Sequence, residues 1–157
     1  MRLLTTTATT VEAGAVVVDV YQDPAELRGA AAAVDEALLG LVTAAVKQCG
    51  FAGKVGETMV LPTQGRLGSP RVVLAGVGPR AELDYAQLRR ATAAAVRAAA
   101  RAGATSVATW VPGAGSFGLE PGQAARATVE GGVLGGYRFD EYRSASRDAV
   151  VSELLVV

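Results

Sequence analysis

Two glycine-rich runs have the spacing of ligand loops. Gly113-Ala114-Gly115-Ser116-Phe117-Gly118 reads G-x-G-x-x-G and follows a β-branched stretch. Glycines so placed leave backbone N–H groups free to face an anion, and a helix N-terminus is expected just beyond them. Gly113, Gly115, Ser116, Phe117 and Gly118 are therefore the candidate ligand-binding residues, with Phe117 stacking on a base or anchoring the loop in the core. The second run, Gly76-Val77-Gly78-Pro79-Arg80-Ala81, reads G-x-G-x-x-A. A dinucleotide loop needs a helix directly after its glycines. Here Pro79 removes one N–H, the next helix is expected only near Asp84, and no acidic residue closes the next strand. It reads as a strand-ending turn.

The remaining reactive side chains form no constellation. The chain has no His and a single Cys, Cys49. A Ser-His-Asp triad, a Cys-His dyad, a His-ligated zinc, an internal disulfide and a thiolate cluster are all excluded. Cys49, at the end of an apolar helical stretch, is expected to be a small buried hydrophobe. Asp35-Glu36 and Asp140-Glu141 are adjacent in sequence and diverge on a helix. Lys54 stands outside any clear helix, without a base or metal cluster beside it. No catalytic residue and no metal ligand set is expected. Arg90, Arg97 and Arg101 share one helix face, which reads as a solvated face or as a docking surface for an acidic partner.

The elements that must position these residues alternate. Residues 15–21, AVVVDVY, read as a strand. Asp23-Pro24-Ala25-Glu26 reads as a capped helix start, interrupted by Gly29. A longer helix is expected to place Val34, Leu38, Leu41, Val42 and Ala45 on one face and to end at Gly50. Strands follow at 56–64, weakened by Pro62, and at 71–77, whose continuous apolar run suits burial on both faces. Asp84-x-x-Gln87 resembles a capping box opening a helix that Gly103 stops. A strand at 106–111, the glycine loop at 112–118, a helix at 121–137 and a strand at 150–157 complete a β-α-β-β-α-β-α-β order. The last helix contains Gly131, Gly132, Gly135 and Gly136. Each interior Gly costs about 1 kcal/mol relative to Ala, so close backbone packing must compensate. The order implies an α/β domain with helices on both faces of a mixed sheet.

At 157 residues the chain is one domain, and half of its residues are hydrophobic, which excludes disorder. Lysine and arginine balance aspartate and glutamate at net charge zero, against a general nucleic-acid partner. The N-terminus lacks the apolar stretch of a signal peptide. The longest apolar run, 37–46, falls short of the roughly 20 residues that span a bilayer. The expectation is a cytoplasmic protein with no membrane partner.

Phe51–Thr58 (FAGKVGET), RVVLAGVG at 71–78 and EGGVLGGYRFDEY at 130–142, in this order and spacing, resemble the N-terminal domain of the leucyl (cytosol) aminopeptidases, a metallopeptidase family. The resemblance runs from about Val16 to the end. It implies a macro-domain-like three-layer fold, a mixed β-sheet between helices. In that family two divalent metal ions, Zn or Mn, and the catalytic Lys and Arg belong to a C-terminal domain. Its Asn-Thr-Asp-Ala-Glu-Gly-Arg motif is absent here, where no Asn occurs at all. The resemblance therefore implies a single non-catalytic N-terminal domain over 1–157. Its own cofactor is none, and its partner is its own C-terminal catalytic domain. The full-length protein would be a homo-oligomer, in the family a hexamer, that removes N-terminal residues, Leu preferred. The alternative is a macro-type binder of ADP-ribose or another nucleotide through Gly113–Gly118. Against it, the Asn-rich strand end of macro domains is replaced by Val18-Asp19-Val20-Tyr21-Gln22.

Overall fold

The structure is a computed structural model and describes residues 2–3, 6–22, 27–111, 119–137 and 149–157. In chain order the elements are β1 (Arg2–Leu3), β2 (Ala15–Tyr21), α1 (Gly29–Ala37), α2 (Leu41–Gln48), β3 (Thr58–Pro62), β4 (Arg71–Gly78), α3 (Tyr85–Arg101), β5 (Ser106–Thr109), α4 (Pro121–Gly136) and β6 (Glu153–Val156). A 3-10 turn at Arg80–Glu82 joins β4 to α3.

The six strands run in the order β1-β6-β5-β2-β4-β3. All neighbours are parallel except β3 and β4. The expected mixed three-layer α/β fold is the one observed. The central strand β2 shows why: Val16, Val18 and Val20 join Val34 and Val42 of the α1/α2 layer. Ala15 and Val17 join Ala95, Val96 and Ala99 of α3 on the opposite face. A strand clad on both sides is apolar at nearly every position.

Pro62 is tolerated because β3 is an edge. Gly76 N–H donates to the Glu57 carbonyl (2.8 Å) and Thr63 N–H to the Pro70 carbonyl (3.1 Å). In the alternating antiparallel ladder, Thr58, Val60 and Pro62 then turn their backbone groups outward. The missing N–H of Pro62 faces away from β4, where it costs no ladder bond.

Three expectations need correction. The helix through Val34 and Ala45 is two helices, bent by 104° between α1 and α2. Leu39 (φ +56°) and Gly40 (φ +82°) are both left-handed, which no helix continues through. The Asp35 carboxylate then caps α2, accepting from Thr43 N–H (3.0 Å) and Thr43 Oγ1 (2.5 Å). Gly29 is the first residue of α1, not an interruption within it; the proposed cap at Asp23–Glu26 lies outside the described residues. Cys49 is exposed, because α2 stops at Gln48 and the chain leaves through Gly50 in a left-handed turn.

The capping box of α3 is present. Gln87 N–H donates to Asp84 Oδ1 (2.7 Å) and Asp84 N–H to Gln87 Oε1 (3.2 Å). Helices α3 and α4 pack through the glycines. A Cβ on Gly131 would lie 2.5 Å from the Arg89 carbonyl oxygen, and one on Gly135 would lie 2.6 Å from that of Ala93. Gly132 makes room for the Leu154 side chain instead.

Candidate functional site

The carboxyl ends of β2, β4 and β5 lie side by side. From there β2 leads to α1 on one sheet face and β5 leads toward α4 on the other. Such a divergence opens the crevice in which open α/β sheets bind ligands. Gly113, Gly115, Ser116, Phe117 and Gly118, the candidate ligand residues, lie outside the described residues. The helix end beyond them is described. Glu120 caps α4 with its own carboxylate, accepting from Gly122 N–H (2.9 Å) and Gln123 N–H (2.7 Å). Those two backbone bonds hold the Glu120 carboxyl below its ordinary pKa. The donors that would meet a phosphate at this helix end already hold an anion, and a second one would meet like charge.

The other glycine run is structural. Gly78 N–H donates to the Gly53 carbonyl (2.9 Å), Gly56 N–H to the Gly76 carbonyl (3.0 Å) and Gln22 N–H to the Gly78 carbonyl (2.9 Å). A Cβ on Gly76 would collide with the Lys54 carbonyl oxygen, and one on Gly53 with that of Tyr21. The Glu57 carboxylate ties the same turn, accepting from Ala52 N–H (3.1 Å) and Lys54 N–H (3.0 Å). Lys54 is exposed, and its contribution here is its backbone. The block 51–58 is therefore spent on docking one loop against the ends of β2 and β4.

The block from Glu130 is spent likewise. The Glu130 carboxylate accepts from Arg126 Nε (2.8 Å) and Arg89 (3.1 Å), which together hold its carboxyl below the ordinary range. Gly131 and Gly135 follow on the face against α3.

One polar group belongs to none of the sequence motifs. Asp19 sits between Val17 and Tyr21 on the α3/α4 face of β2, paired in register with Ala75. Burial pushes its carboxyl up to about 7. Burial also raises the Tyr21 phenol, with the Asp19 charge adding to the rise and Arg80 opposing it. The Arg80 guanidinium lies 5.4 Å from the centre of the Tyr21 ring. The sequence signal was the single acid inside an apolar strand, VVVDV. Among the described residues no three His, Cys, Asp or Glu side chains come together as a metal site. The described residues do not fit a two-metal centre. No single helix among the described residues is long and apolar enough to cross a membrane.

Comparison with known proteins gives the family. The model of the cytosol aminopeptidase family, N-terminal domain, matches residues 17–146. The chain belongs to that family. A probable cytosol aminopeptidase of Alkaliphilus oremlandii is 31% identical over 87% of this chain and 27% of its own length. One from Streptomyces avermitilis is 34% identical over 95% of this chain and 30% of its own. This N-terminal aminopeptidase domain thus spans under a third of the length of such relatives. Among solved structures, the bottromycin maturation enzyme BotP is 30% identical, with a TM-score of 0.66 over 92% of this chain and 27% of its own. A mutant tomato leucine aminopeptidase superposes at TM-score 0.77 with 22% identity, over 99% of this chain and 31% of its own. The macrodomain of Mycobacterium tuberculosis DarG superposes at 0.74 with 15% identity, over 99% of this chain and 95% of its own. The last two likenesses are of fold alone.

Proposed function

We propose that this chain is a non-catalytic scaffold and assembly domain of a metal-dependent leucyl aminopeptidase. The observation that carries the reading is where the family-matching residues are spent. Gly53, Glu57 and Gly76 close a turn, and Glu130, Gly131 and Gly135 join α4 to α3. The two carboxylates among them, Glu57 and Glu130, are engaged in that turn and in that helix pair. The substrate chemistry then belongs to the C-terminal domain, with two divalent ions, Zn or Mn, activating water and polarising the scissile carbonyl there. The full-length protein would act in the cytoplasm as a homo-oligomer, a hexamer on the family's pattern, with domains of this kind at the outside.

Metal analysis tests the division of labour. After dialysis the chain should retain less than about one equivalent of Zn or Mn, and chelator should leave its melting temperature unchanged, because a site needs about four converging ligands. A chelator-induced drop of several degrees contradicts the reading.

A further inference from the structure

The outer face of α3 carries an open trough of about 500 Å³. It is lined by Ala93 and Ala94, by Arg90 and Arg97, by Val55 and by Leu134 of α4. Leu134 is 63% exposed, far more than a leucine needs to be on a helix whose other face is packed. Arg89, which also lines the trough, is held by Glu130. Arg90 and Arg97 are both exposed, and no hydrogen bond or ion pair engages either of them among the described residues.

We propose that this trough is a docking groove for an acidic amphipathic helix of a protein partner. The shape argues for a helix. The small side chains of Ala93 and Ala94 leave room beside the arginines for a second helix to lie along α3. Arg90 and Arg97 are seven residues apart, two turns and about 10.5 Å along the axis. A partner helix with carboxylates seven residues apart repeats that distance and meets both guanidiniums at once. Arg is suited to such contacts because its planar fork can take a carboxylate by two bonds. The apolar side of the partner would cover Val55 and Leu134. A nucleic acid fits less well. The chain has net charge zero, among the described residues the trough has two unengaged cations, and its lining includes the aliphatic Val55 and Leu134, whereas backbone phosphates call for a dense basic surface.

The probe is a labelled peptide of about 20 residues, long enough to hold a helix, built on alanine and leucine with glutamates seven apart. It is titrated into the full chain. A peptide with lysines at the same positions and a DNA duplex of equal length are the other arms. Saturable binding of the glutamate peptide is expected, stronger than that of either other arm. Arg90→Glu with Arg97→Glu should weaken it by at least about tenfold and bring in the lysine peptide, with the thermal melt unchanged. Ala94→Trp, which adds bulk to the trough lining without altering charge, should weaken it as well. Equal binding of both peptides, no saturation below millimolar concentration, or indifference to the charge reversal overturns the proposal. Tighter binding of the duplex overturns it in favour of a nucleic-acid face.

Discussion

An acid on a strand buried on both faces is easiest to keep as a neutral group. Asp19 is held protonated to about pH 7 by burial, while in the unfolded chain it ionises near 3.8. Between these values the folded state binds one proton more than the unfolded state, so stability falls as pH rises from about 4 to about 7 and then levels. Asp19→Asn removes that dependence. Urea melts should show the two proteins alike near pH 4 and the Asn variant more stable by about 2–4 kcal/mol at pH 8; a parallel pH profile for both sinks the assignment. The sequence displayed Asp19 but not its consequence, because a carboxyl's pKa depends on what two other layers place over it. At the loop Gly113–Gly118 the sequence suggested a phosphate site, and its flank shows Glu120 already serving the helix end. Millimolar ADP-ribose should therefore leave the melting temperature unchanged, where a ligand at 100 times its dissociation constant would add about 2.7 kcal/mol. A clear shift that Gly115→Val abolishes would promote the nucleotide-binding reading.

Gly131, Gly132, Gly135 and Gly136 of α4 looked alike in sequence and are not alike in space. Gly135 lies against the α3 backbone, where a Cβ would come within 2.6 Å of the Ala93 oxygen, whereas among the described residues nothing approaches a Cβ on Gly136 closer than 3.9 Å. Gly135→Ala should destabilise the fold by about 1–3 kcal/mol through overpacking. Gly136→Ala should be neutral or stabilising by up to about 1 kcal/mol through helix propensity. Opposite signs in a denaturant melt are the expected result, and a stabilised Gly135→Ala refutes the close packing. The four-residue spacing of Gly131 and Gly135 made their shared face legible. The corner at Leu39–Gly40 was not, since the apolar period runs straight across it from Val34 to Ala45. What breaks the helix there is a left-handed leucine beside a glycine and a cap supplied from Asp35, eight residues before Thr43. Cys49 was misplaced for a related reason: it follows the period of α2 but stands past the helix end.

Strand and helix alternation was enough to give the three-layer architecture, because each strand's apolar length reports whether both of its faces are covered. The sheet's outer order was less legible. β1 is only the pair Arg2–Leu3, held by β6 from the far end of the chain, and two residues carry no period. The placement of chemistry follows from the same economy. On the proposed reading, a domain whose blocks of family resemblance close turns and join helices provides shape, and the Asn-Thr-Asp-Ala-Glu-Gly-Arg motif of the family's catalytic domain needs an Asn that this chain lacks. The most direct measurement is a peptidase assay of the purified chain on leucine p-nitroanilide with Mn or Zn supplied. The rate should equal the buffer blank at every metal concentration; turnover that co-purifies with the chain through successive columns would contradict the account.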